Sequence, residues 1–330
     1  MSYIDVHCHF IPPEYRKACE ALRDSQPDEF PLLPAWSPED HLDFMKQNNI
    51  SKSIISISTP GPYIHYLGFE KALALTEHCN DYASELKIRH PDKFGFWASL
   101  PLPDVSASLQ EIDRAERLGA DGFVLMTNYA GHYLGDEKFN EVFQELNSRK
   151  ATVFIHPTTP RVAHSKNGVE SPTSAAPLAQ KHPSPVFEFI FESARMVANL
   201  FLSGTMEKIP NVTFILPHFG GALPTIVSRL ANFSVIISGL ATLKEDEVLE
   251  VLRRQFYSDL AGFVFPNQFP GLSQGLEISA QRMVYGSDYP FTPPEAVERV
   301  SRQLDVGLRQ HFSEAEVQAI YQANMASVLE

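Results

Sequence analysis

The chain has 330 residues, 44% of them hydrophobic and 20% charged, an ordinary globular composition with enough length to bury a core without disulfides. Its formal net charge is −13. That balance argues against nucleic acid or anionic membrane as a partner, because no basic cluster is present to neutralise phosphates.

The N-terminus, MSYIDVHCHF, runs straight into a strand pattern at 3–8, with no basic region leading into an apolar one. Residues 24–40 (DSQPDEFPLLPAWSPED) read as an irregular, Pro-rich insertion after this first strand. A second strand is predicted at 53–58 and a helix over 66–90, with Leu67, Ala74, Leu75, Cys79, Tyr82 and Leu86 at helical spacing. Strand 94–100 follows, then a helix over 104–118 opened by Asp104 as N-cap and stopped by Gly119. Strands at 122–126 and 152–156 come next. The stretch 157–185, rich in proline and serine, reads as a long functional loop after the fifth strand. Strands at 212–218, 255–259 and 282–288 complete the set.

Each strand is apolar on both faces or nearly so, as parallel strands covered by helices are. Eight strand–helix alternations, with no GxGxxG after the first strand, predict one (β/α)8 TIM-barrel domain over 1–330. Cys8, Cys19 and Cys79 form no CxxC pair and read as reduced thiols, so a cytoplasmic location is expected. No apolar run approaches the roughly 18 residues that a membrane span needs.

His7 and His9 are two apart on a strand, so both imidazoles face the same side, while Cys8 faces away into the core. His156, His218 and Asp288 end the fifth, sixth and eighth predicted strands. A lone strand-end histidine is more often structural, and a lone strand-end aspartate is as often a helix cap. Five such groups at the carboxyl ends of barrel strands are hard to place by chance, since those ends ring the mouth where barrel active sites form. Imidazoles with a carboxylate suit Zn2+ and tolerate Mn2+, Fe2+ or Co2+. Phe10, Trp36, Tyr63, Phe219 and Phe291 flank strand ends and could either sandwich an aromatic ring or plug the mouth. Cys8 reads as core packing, and His164 and His182 as solvated.

The motifs IDVHCHFIPPEY at 4–15, AWSPEDHLDFM at 35–45, FIHP at 154–157, LPHFGGALP at 216–224 and YGSDYPF at 285–291 resemble the amidohydrolase superfamily. Within it they are similar to the metal-dependent decarboxylases typified by aminocarboxymuconate semialdehyde decarboxylase, and the similarity runs along nearly the whole chain. The resemblance implies His7, His9, His156 and Asp288 as ligands of one divalent ion. It implies His218 as an unligated acid/base, and Arg229 as a contact to the substrate carboxylate, sometimes across a dimer interface. The bland alternative for Arg229 is a surface helix arginine.

The pattern departs from the aminocarboxymuconate enzymes in lacking an arginine within DEFPLLPAWSPE, so one anionic anchor for a dicarboxylate is missing. The first ligand is His7, not the glutamate of some resorcylate decarboxylases. The resemblance therefore implies the 6-methylsalicylate decarboxylase type: CO2 release from an ortho-hydroxylated aromatic acid, with Trp36 and Phe291 against the ring and Asp288 or His218 handling the proton. The alternative is a metal-dependent hydrolase of a lactone or amide. No lysine in GFVLMTN could bridge two metals, which argues against the binuclear kind. Arg229 and the 157–185 loop together lead us to expect a homodimer.

Overall fold

A computed structural model of the chain describes residues 2–23, 32–166, 169–170, 172–179, 181–237 and 242–330. Eight strands form one sheet: β1 Tyr3–His9, β2 Ile50–Ser56, β3 Phe94–Ser99, β4 Gly122–Met126, β5 Thr152–His156, β6 Thr213–Leu216, β7 Phe256–Asp259 and β8 Met283–Val284. Spatial order follows chain order and each pairing is parallel. The ring closes where Val6 N–H donates to Tyr285 O at 3.1 Å and His9 N–H to Tyr289 O at 2.7 Å. This is the (β/α)8 barrel that the alternation predicts.

Helices wrap the outside: α1 Pro13–Arg23, α2 Pro38–Gln47, α3 Phe69–Arg89, α4 Val105–Arg117, α5 Asn140–Ser148, α6 Ser184–Leu202, α7 Thr205–Lys208, α8 Val227–Ile236, α9 Glu245–Gln255, α10 Pro294–His311, α11 Glu314–Gln318 and α12 Asn324–Leu329. Asp104 caps α4 as its position predicts, accepting from Ala107 N–H at 2.8 Å. On α3 the buried stripe runs through Ala72, Leu75, Cys79 and Leu86, whereas Ala74 is exposed. Leu67 lies in a separate single turn ahead of the helix.

Boundaries differ where local chemistry intervenes. Strand β2 runs 50–56, not 53–58, because Asn49 in left-handed backbone (φ 57°) turns the chain from α2 directly into it. Of the 24–40 insertion, residues 24–31 lie outside the described residues, and 32–37 carry no helix or strand. Residues 38–40 already belong to α2, since Ser37 caps it and Pro38 occupies its first turn. The 157–185 stretch is not structureless. Arg161–Val162 pairs antiparallel with Thr173–Ser174, and Ser165–Lys166 with Val169–Glu170, so the segment doubles back as a hairpin. Residues 167, 168, 171 and 180 lie outside the described set. Asn128 Nδ2 donates to Thr159 O at 3.1 Å, which ties the root of this hairpin to the end of β4.

One core lies between strands and helices, and a second fills the barrel itself. Ile54, Trp97, Val124, Phe154, Ile215 and Val284 form the inner plug, with the Trp97 indole N–H satisfied by Val6 O at 2.9 Å. Because that plug is apolar, polar chemistry is confined to the layer above it, at the strand carboxyl ends. No helix among the described residues is long and apolar enough to cross a membrane.

Candidate metal centre and active site

His7 and His9 project from the end of β1 on one side, while Cys8 packs outward with its Sγ 3.7 Å from Ile54 O. His156 is the last residue of β5, His218 follows β6 through Pro217, and Asp288 follows β8. The structure brings all five together. The potential ligand atoms of His7, His9 and His156 lie within 4.8 Å of one another, and so do those of His7, His218 and Asp288. Asp288 Oδ1 stands 3.2 Å from His9 Nε2 and 3.5 Å from His7 Nε2.

Hydrogen bonds behind the imidazoles fix which nitrogen each presents. His7 Nδ1 is 2.8 Å from Asp259 Oδ2, His9 Nδ1 is 3.1 Å from Ser56 Oγ, and His156 Nδ1 is 2.8 Å from Pro157 O. A carboxylate and a carbonyl can only accept, so His7 and His156 carry a proton on Nδ1 and turn Nε2 toward the cluster. His7 Nε2 and His9 Nε2 are fully buried with no hydrogen-bond partner among the described residues. A buried polar atom without a partner is costly. These two fit a metal ion, and the histidine–carboxylate backing is the arrangement that metal-ligating histidines have.

The electrostatics favour a cation. Burial works against a charge on His7, yet Asp259 and Asp288 outweigh it and raise the imidazole to about 10. Asp288 is held well below the carboxylate range: burial opposes this, and the adjacent His7 and His9 imidazoles outweigh it. His156 and His218 are pushed down by burial and by the neighbouring imidazoles.

Backbone geometry at the mouth is strained. His218 and Asp288 have φ of 50° and 57°, a region that costs a non-glycine residue about 1–3 kcal/mol. The surroundings hold them there. His218 N–H donates to Asp259 Oδ1 at 2.9 Å, and Asp288 N–H to His7 O at 2.7 Å. The glycines of the motifs serve close approach: a Cβ on Gly221 would meet Ile190 O at 2.2 Å, and one on Gly286 would meet His7 Cβ at 2.8 Å.

Two carboxylates absent from the sequence reading organise this layer. Asp259 ends β7, clamps His7 with one oxygen and holds the backbone of His218 and Ala261 with the other. Asp5 accepts from Ser287 Oγ at 2.6 Å and from the N–H groups of Ser287 and His7, fastening β1 to the segment that carries Asp288. Burial pushes its carboxyl up to about 7. The signal for Asp259 was present: it closes the seventh predicted strand as the ligands close theirs.

The expected substrate contacts separate. Phe291 lies at the cluster, its ring 5.4 Å from His9 and edge-on to it. Trp36 packs against Phe10, His41 and Tyr82, and its indole N–H donates to His41 Nδ1 at 3.1 Å. Phe10 and Phe219 belong to the strand–helix core. Arg229 is exposed on α8, with its guanidinium 4.3 Å over the Phe233 ring of the same helix. His164 and His182 are exposed.

A family model described as Amidohydrolase matches residues 4–329. The decarboxylase macB of Penicillium terrestre is 35% identical, over 94% of this chain and 89% of the relative. The 6-methylsalicylic acid decarboxylase of Penicillium expansum is 33% identical, over 92% and 90%. Among solved structures, 5-carboxyvanillate decarboxylase from Novosphingobium aromaticivorans, complexed with manganese and 4-hydroxy-3-methoxy-5-nitrobenzoic acid, superposes with a TM-score of 0.82. That match covers 99% of this chain and 96% of the other at 20% identity, and establishes the shared fold.

Proposed function

The chain belongs to the amidohydrolase family, and from that premise we propose that it is a metal-dependent carboxy-lyase acting on an ortho-hydroxylated aromatic acid, 6-methylsalicylate or a close hydroxybenzoate. The observation that carries the metal dependence is the pair of buried, partnerless Nε2 atoms on His7 and His9, facing His156 and Asp288. His7, His9, His156 and Asp288 would hold one divalent ion, zinc by ligand preference with manganese the second choice. When bound, such an ion supplies Lewis acidity and fixed positive charge for a carboxylate and its ortho hydroxyl oxygen.

The protein's own residues do the rest. Phe291 covers His9 and offers an apolar face to a flat ring. Decarboxylation forms a C–H bond at the ring carbon bearing the carboxylate, breaks the C–C bond and releases CO2 and a phenol. The proton for that carbon comes from one of the two acid/base groups at the mouth, Asp288 or, as the alternative, His218 beside it. Asp259 keeps His7 in one tautomer and His218 in one backbone conformation throughout.

The active assembly is a cytoplasmic C2 homodimer. The support for the dimer is the exposed apolar side chains of two helices, Val186, Phe187 and Phe191 on α6 and Phe233, Val235 and Ile236 on α8, with Val186 and Ile236 71% and 72% exposed. Arg229 is exposed on α8, where a dimer would let it contact the partner's substrate carboxylate. Nucleic acid and membrane are not partners of a chain carrying −13.

The test is a substrate panel with the metal-loaded protein, following CO2 and phenol. Release of CO2 from 6-methylsalicylate, with weak turnover at best of aminocarboxymuconate semialdehyde, is expected. Inert hydroxybenzoates together with an opened lactone and no carbon lost would hand the site to the hydrolase alternative.

A further inference from the structure

On the β2–β4 side of the mouth, a recess is lined by Pro60, Pro62, Leu100, Val124 and Met126, with Tyr63, Tyr129 and Ser99. It borders the metal cluster: Met126 pairs with His156 across the ladder, and Ser58 Oγ, just before Pro60, is 3.4 Å from His156 Nε2. Ser99 is buried, and its Oγ has no hydrogen-bond partner among the described residues. Its backbone is fully committed, since its N–H donates to Asn80 Oδ1 at 2.9 Å and its carbonyl accepts from Asn80 Nδ2 at 2.9 Å. The strand end is therefore fixed while the hydroxyl is left over. Tyr129 hydroxyl accepts the Met126 N–H at 3.1 Å, so its hydrogen also remains available.

We infer that this recess is a subsite for a second ring hydroxyl of the substrate, with Ser99 the residue that selects for it. The inference rests on the aromatic-acid reading above. A carboxylate and its ortho hydroxyl held at the metal cluster leave the remote edge of the ring to face β2–β4. The recess has room for a single water-sized group, which suits a hydroxyl and not a ring or chain. No charged side chain among the described residues lines it, so a carboxylate or ammonium would enter unpaired. A hydrogen or methyl there would leave the Ser99 hydroxyl buried and unsatisfied, whereas a hydroxyl both donates and accepts.

The experiment pairs binding with turnover. Calorimetric titration of the metal-loaded protein with 3-methylphenol and 3,5-dihydroxytoluene compares one hydroxyl with two, without chemistry. CO2 release from 2-hydroxy-6-methylbenzoate and 2,4-dihydroxy-6-methylbenzoate compares the matching acids. Wild type should bind the dihydroxy phenol about tenfold more tightly, and Ser99→Ala should erase that preference while leaving the monohydroxy phenol unaffected. Equal binding of both phenols by wild type, or a preference that survives Ser99→Ala, overturns the subsite. A Ser99-dependent binding preference without CO2 from either acid keeps the subsite and overturns the decarboxylase. CO2 from both acids without that preference does the reverse.

Discussion

Two kinds of fully buried histidine coexist in this barrel. His41 sits in the layer between α2 and β2, where Nδ1 accepts the Trp36 indole N–H at 3.1 Å and Nε2 meets Ser53 Oγ at 3.2 Å. Both nitrogens are used. Burial, with a smaller contribution from His9, pushes its pKa down to about 3. At the mouth, His7 and His9 are equally buried, but each spends only Nδ1 on the protein and leaves Nε2 without a partner. Burial alone therefore does not mark a ligand. An unspent lone pair, held in place by a partner on the opposite nitrogen, does.

The largest effect expected from that contrast is at the ligands themselves. His9→Ala should lose stoichiometric metal by elemental analysis and bring turnover to background. Chelation of the wild type should do the same, reversibly on adding back zinc or manganese; full activity in a metal-free preparation would break the comparison. Next comes His218, close to the cluster and assigned to proton handling. His218→Ala should retain the metal and lose roughly 10²–10⁴ in turnover. If metal and activity vanish together, His218 is a fifth ligand.

A smaller effect falls on the group behind a ligand. Asp259→Asn keeps the shape but weakens the acceptor for His7 Nδ1, so metal affinity should fall about 10–100-fold in a competition titration. Unchanged affinity would mean that the clamp does not tune the lone pair. The smallest effect on function belongs to His41. His41→Phe should leave metal content and turnover unchanged while costing about 1–3 kcal/mol of unfolding free energy, because the Trp36 N–H and Ser53 hydroxyl lose a partner. Its pH signature has a definite sign. The unfolded imidazole takes a proton below 6.5 and the folded one refuses it until about 3, so His41 makes wild-type stability drop as pH falls through that window. The variant should lack that share of the acid limb, as denaturation midpoints at pH 7 and about pH 4.5 would record.

Local pattern carried much of this protein. The eight strands alternate with helices, so apolar runs bounded by helix signals such as the Asp104 cap mark the barrel along the chain. Because side chains alternate on a strand, His7-x-His9 aims both rings one way, and His156 is located by the end of its own strand. Those are short-range facts, and one sequence suffices for them.

Only the folded chain decided the rest. Asp259 reaches His7 across 252 positions and Ser287 reaches Asp5 across 282, pairings that no local period encodes. Closure of the barrel between β8 and β1 creates them, and with them the choice of nitrogen on His7. The same holds for Trp36, whose indole N–H the fold brings onto His41. It holds for Arg229, placed on an outer helix face, and for Ser99, an unremarkable strand-end serine until Asn80 takes its backbone and nothing takes its hydroxyl. Residue type and spacing fix which chemistry a chain can offer, while the use of each lone pair and proton is settled by neighbours brought from far away along the chain.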